Sequence, residues 1–140
     1  MADNNVPMNV IPEDSCWGYL ASQEVGRLGV VSEDLPEIFP INYYVDGESL
    51  IFRSAEGSKM ETLATNNNVV FEVDNWTDEG GWSIMIKGTA ERITDADELA
   101  RAKKAPLLPW TPTVKEIFVR ILPTTQISGR TFTFGTAQQD

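Results

Sequence analysis

The stretch Phe39-Pro40-Ile41-Asn42-Tyr43-Tyr44-Val45-Asp46-Gly47-Glu48-Ser49-Leu50-Ile51-Phe52-Arg53-Ser54-Ala55-Glu56-Gly57-Ser58-Lys59 decides how this chain folds. Ile38 to Val45 is rich in β-branched and aromatic residues, and Leu50 to Phe52 resumes that character, so both runs read as strands. Asp46-Gly47 between them is the pair that a two-residue hairpin turn favours, because both central residues need positive φ. Beyond the second strand, Arg53, Ser54 and Lys59 gather around Gly57. Ser58 and Glu61 stand at capping-box spacing, which predicts that Ser58 opens a helix over Lys59 to Ala64. A helix N-terminus beside a lysine and an arginine is a seat for a phosphate. A plain cap with two cations facing water explains the same residues, and chemistry alone does not choose.

Outward from this hairpin the pattern stays mostly β. Val25 to Val31 reads as a strand with Leu28 and Val30 on one face and Val25, Arg27, Gly29 and Val31 on the other. Ser32 to Glu37 reads as a turn. Val69 to Val73 is apolar enough for a buried strand, and Trp82 to Ile93 makes a long one, with Trp82, Ile84 and Ile86 facing one way. Gly88 permits the kink that a barrel corner requires. Ile117 to Leu122 and Ile127 to Phe134 close the series. Helices are brief: one after Pro12, one after Ser58 and one from Thr94, whose acids come first and whose Arg101, Lys103 and Lys104 come last. Met1 to Ile11 lacks a period and is expected to be loose. The sum is one mainly β domain over residues 1–140, antiparallel, with six to seven strands and short helices.

Composition removes whole classes of function. The 140 residues carry 21 acidic and 11 basic side chains, a formal charge of −10, which repels nucleic acid and anionic membrane surfaces. Histidine is absent, so Ser-His-Asp and Cys-His catalysis are excluded, and so is the commonest metal ligand. One cysteine, Cys16, allows no internal disulfide and no thiolate-rich zinc site, so no metal site is expected. No secretory pattern or membrane-length apolar run is visible, which points to the cytoplasm. Redox chemistry, if present, must be carried by a bound cofactor.

Pro40-x-Asn42, Asp46-Gly47, Phe52-Arg53-Ser54, Gly57-x-Lys59 and Leu63, followed by Val70-Phe71-Glu72-Val73-Asp74 and Trp82 through Ala90, resemble the signature of the pyridoxamine 5′-phosphate oxidase-like FMN-binding split barrels. The resemblance runs from about Trp17 to Ile93. It implies FMN, or alternatively a deazaflavin, held at the interface of a homodimer. By position, Arg53, Ser54, Ser58 and Lys59 would hold the phosphate and ribityl end, while Pro40, Ile41 and Asn42 would lie along the isoalloxazine. From the second chain, Trp82 and Ser83 would line the ring and Trp110 would cover it. Arg130 stands either near the cofactor or as a solvated strand charge.

The departures narrow the activity. The Arg-x-His of true pyridoxamine phosphate oxidases cannot occur here, nor can the histidines that nitroimidazole-reductase-like and haem-degrading members use. What the resemblance leaves is an FMN-dependent oxidoreductase acting on a small molecule, with no catalytic residue named. The alternatives are a deazaflavin-dependent reductase and a non-catalytic flavin or deazaflavin carrier or sensor.

Overall fold

The computed structural model describes residues 8–105 and 117–134. Nine strands and three helices occupy them, in the order β1 (Met8–Val10), α1 (Glu13–Ala21), β2 (Val25–Ser32), β3 (Leu35–Asn42), β4 (Tyr44–Asp46), β5 (Ser49–Ser54), α2 (Ser58–Thr65), β6 (Asn68–Trp76), β7 (Gly80–Arg92), α3 (Ala96–Lys103), β8 (Ile117–Pro123) and β9 (Ser128–Thr133). Every pairing is antiparallel, in the spatial order β3-β2-β6-β7-β8-β5-β4, with β9 on β7 and β1 on β9. The two ends of that order, β3 and β4, are consecutive in the chain and separated by Tyr43 alone. The sheet therefore curls into a split barrel whose gap is bridged by backbone.

Alternation along each strand builds the core, as the sequence pattern requires. Leu28, Phe52, Phe71, Ile84, Ile86 and Ile121 are fully buried on the inner face. Each such side chain contributes about 1.5–3 kcal/mol by leaving water. α1 supplies Cys16 and Leu20 to this core, and Trp17 packs at its edge. α3 lies on the outside instead, where Ala102 covers Ile51, Ile93 and Phe118. Arg120 ties that side together: it donates to Asp46 at 2.9 Å, Ser49 at 2.7 Å and Glu98 at 3.2 Å.

β7 is the spine. It pairs with β6 along Asn68 to Trp76, while its other edge serves β9 up to Met85 and β8 from Gly88 onward. The change of partner falls at Gly88, where a Cβ would sit 2.1 Å from the Leu122 carbonyl oxygen. Only glycine allows that approach.

Several boundaries differ from the sequence reading. The run Ile38 to Val45 is two strands, because the chain bends at Tyr43. The hairpin loop is Gly47-Glu48, not Asp46-Gly47: Asp46 pairs with Ser49, and Gly47 alone has positive φ. The turn with two left-handed residues is Glu33-Asp34, inside the segment read only as a turn, so β3 begins at Leu35. Asp95 rather than Thr94 caps α3, accepting from the Glu98 amide. Met8–Val10, expected to be loose, is a strand because β9 offers it a partner distant in sequence. That raises the described strands to nine.

Tyr43 holds the bend. Its hydroxyl donates to the Leu20 carbonyl, its amide donates to the Glu24 carbonyl at 3.0 Å, and its ring meets Phe71 edge-on at 4.9 Å. Burial drives its phenol well above the ordinary range, so it stays a donor. Tyr43→Phe keeps the ring and leaves the Leu20 carbonyl with only the Gln23 amide, at 3.5 Å. Urea unfolding should show a loss of about 0.5–1.5 kcal/mol, and an unchanged midpoint would show that the bond does not hold the bend.

Candidate functional site

The site reading rests on where β3 ends and α2 begins. Pro40 and Asn42 point outward from β3, and Ile41 points into the core, so Ile41 can offer only its backbone to a ligand. The Asn42 amide nitrogen donates to the Glu24 carbonyl at 3.3 Å. This fixes the amide's orientation and leaves Asn42 Oδ1 buried with no hydrogen-bond donor among the described residues. A buried acceptor of that kind is costly unless something supplies an N–H or O–H.

At the other side, Arg53 lies near the end of β5 with its guanidinium 5.5 Å from the centre of the Phe118 ring. Ser54 is buried and donates to the Ala55 carbonyl at 3.0 Å. The Lys59 ammonium stands 5.2 Å from the Phe39 ring centre and 5.7 Å from that of Phe52, so α2 is drawn against both β3 and β5. The predicted capping box does not form. Gly57, at φ 155° and ψ −168°, is the N-cap, Ser58 is already the first helical residue, and no side chain caps the end. That backbone region is open essentially to glycine alone. The uncapped first turn leaves amide N–H groups for an anion, with Lys59 in that turn and Arg53 near the end of β5.

Trp82 and Ser83 lie elsewhere, at the start of β7. Trp82 packs against Tyr19 of α1 with ring centres 5.0 Å apart, at the edge of the core. Ser83 is on the opposite face, in register with Asp74 and Arg130. Within one chain, Arg53 lies against Phe118 on the α3 side of the sheet, Lys59 lies against Phe39 and Phe52 on the core side, and Trp82 and Ser83 form a separate set. Trp110 falls outside the described residues.

One constellation had not been anticipated. Arg27 of β2 donates to Asp74 of β6 at 2.8 Å and lies 3.6 Å from Glu72, all three on the outer face. Glu72 is pushed up from 4.5 to about 7 by burial and by its hydrogen bond to, and repulsion from, Asp74, against the pull of Arg27. Burial also acts to raise Asp74, but the hydrogen bond from Glu72 and the Arg27 guanidinium outweigh it and bring it below 3.8. Of the two carboxyls, Glu72 is therefore the one that keeps its proton to the higher pH. The cluster's only sequence signal was two carboxylates two apart on a strand, and the arginine that completes it is 47 positions away from Asp74.

Residues 12–131 match the family model described as pyridoxamine 5′-phosphate oxidase. The chain belongs to that family. A Mycobacterium tuberculosis relative, an uncharacterised protein, is 40% identical over 91 residues, which is 65% of this chain and 82% of the relative. The solved FAD binding protein of Mycobacterium smegmatis is 40% identical with a TM-score of 0.79, covering 90% of this chain and 99% of that one. An FAD-binding protein of Mesorhizobium loti shares the fold at 24% identity and a TM-score of 0.80, covering 91% and 98% of the two chains.

The family's flavin fits the residues present. Among the described residues Asn42 Oδ1 lacks a donor, and the α2 N-terminus lacks a cap. No helix among the described residues is long and apolar enough to cross a membrane.

The upward shift of Glu72 has a measurable consequence in this family member. Between pH 4.5 and about 7 the folded chain keeps a proton on Glu72 that the unfolded chain has released, so stability falls as pH rises through that window. The Asp74 contribution is lost only at lower pH, below its ordinary 3.8. Thermal unfolding followed from pH 4 to pH 8 should show this decline, and Glu72→Gln should flatten it. An equal slope in wild type and variant would place the titration elsewhere.

Proposed function

We propose that the chain binds FMN at a seam between two copies of itself and acts as a flavin-dependent oxidoreductase on a small molecule in the cytoplasm. The observation that carries this reading is the uncapped, glycine-led N-terminus of α2 between Arg53 and Lys59, in a chain of this family. Arg53 and Lys59 would hold the phosphate by charge-assisted contacts, with the first amides of α2 and the hydroxyls of Ser54 and Ser58. Pro40 and the Ile41 backbone would support the ring. Asn42 Oδ1 would accept from a ring N–H. The second chain would contribute Trp82, Ser83 and Trp110.

FAD contains the same isoalloxazine, ribityl chain and first phosphate, and a 40% identical relative is an FAD binding protein, which supports a seat that would take either nucleotide. A deazaflavin would meet the same phosphate contacts. When bound, a flavin supplies hydride and single-electron chemistry that no side chain here provides. The chain's own part is to anchor, orient and exclude water. Cys16, buried and free, suits a reducing compartment.

The absence of histidine supports a second reading, a flavin carrier without turnover. Reduction of the loaded protein by NAD(P)H, followed by reoxidation with nitro-compounds or quinones, separates enzyme from carrier. The phosphate seat is tested by titrating FMN and riboflavin into wild type, Lys59→Ala and Arg53→Ala. Each substitution should weaken FMN by roughly 1.5–3 kcal/mol, the range for a hydrogen bond to a charged group, and leave riboflavin unaffected. Equal losses for both ligands, or none, would contradict the assignment.

A further inference from the structure

α1 and α2 pack on the core side of the sheet and α3 covers β5 and β8, which leaves the outer face of β3, β2, β6, β7 and β9 open among the described residues. Ile38 is 71% exposed on it, and Val31 and Met85 are each 37% exposed. An apolar groove of roughly 500 Å³ runs past Val31, Pro36, Ile38 and Val70. The charge on this face is unlike that of the chain. Arg27, Lys87 and Arg130 stand against Glu72, Asp74 and Glu91, an even balance, whereas the chain as a whole is −10. Two copies of so acidic a protein repel one another almost everywhere, and here they do not. The occupant that fits is a second copy.

Beside this groove on the same face lies the Arg27–Glu72–Asp74 cluster, two carboxylates to one guanidinium. Covering it would bury an unmatched negative charge, which is expensive. We propose that pairing of two copies through this face draws one proton per chain from solvent onto the Glu72–Asp74 pair. The inference rests on the two-chain assembly proposed above and adds its regulation: the dimer tightens as pH falls.

The surroundings favour Glu72 as the acceptor. From β2 it faces Arg27; from its own strand, Asp74 and Val70; from β7, Met85 in register, with Ser83 and Lys87 one step along on either side. β9 adds Ser128 and Arg130 beyond them, and β3 adds the uncharged Pro40 beyond Arg27. Lys87 and Arg130 lie in neighbouring rows, and Arg130 donates to the Gly129 carbonyl. In the uncovered chain Glu72 already titrates at about 7, and removal of water moves a carboxylic acid further upward. Protonation takes the cluster from net negative to neutral with no other reactant.

The test is dimer dissociation of the full chain in saturating FMN, measured by analytical ultracentrifugation from pH 6 to pH 9. The dissociation constant should be flat below about pH 7 and then rise by up to about 100-fold per pH unit, the limit for two protons per dimer. Glu72→Gln, neutral at every pH, should lose the slope and bind more tightly than wild type at pH 8.5. A wild-type dimer with no pH dependence, or a variant that keeps the slope, overturns the proton uptake while leaving the shared seam standing. A chain that binds FMN yet stays monomeric at every pH overturns both. If the variant fails to fold, the wild-type slope still decides.

Discussion

The structure depends on how β3 is fastened to the loop after α1. Tyr43 reaches back to the Leu20 carbonyl through its hydroxyl and to the Glu24 carbonyl through its amide, and Asn42 adds its own amide to the same Glu24 carbonyl. Three hydrogen bonds from two adjacent residues stop one strand and start the next. Without the bend, β3 would run on into β4, and the two ends of the sheet could not meet. A sheet that must close needs such a corner, and a buried donor–acceptor set enforces it because leaving those groups unpaired is costly.

The corner also sets the chemistry. It fixes the outward Pro40 and Asn42 at the end of β3, with the Asn42 oxygen unpartnered among the described residues. Lys59 packs between Phe39 of β3 and Phe52 of β5, so the start of α2 is held to the same part of the barrel. An orphan acceptor at one side and an uncapped helix end at the other are complementary to a molecule that has an N–H-bearing ring and a phosphate. The architecture leaves these groups wanting, and the proposed flavin would satisfy them.

Much of this was legible in the sequence where the signal is local. Alternation placed Leu28, Val30, Ile84 and Ile86 inward, and Gly88 marked the corner of β7. What escaped was set by distant partners. Met8–Val10 has no periodicity of its own and is a strand only because Thr131 and its neighbours pair with it. Ser58 satisfies the capping pattern, yet Gly57 adopts a conformation that a capping serine would not, and the helix starts one residue earlier than a Ser58 cap implies. The hairpin turn slipped by one residue because Asp-Gly is a strong signal, but Asp46 is held in the ladder opposite Ser49 and bound by Arg120. The Arg27–Glu72–Asp74 cluster requires the β2–β6 register, which local pattern does not contain.

Native mass spectrometry of the full chain, purified and supplied with FMN, tests this arrangement most directly. The arrangement predicts a mass of two chains carrying two flavin nucleotides. A species of one chain with no retained flavin would contradict it.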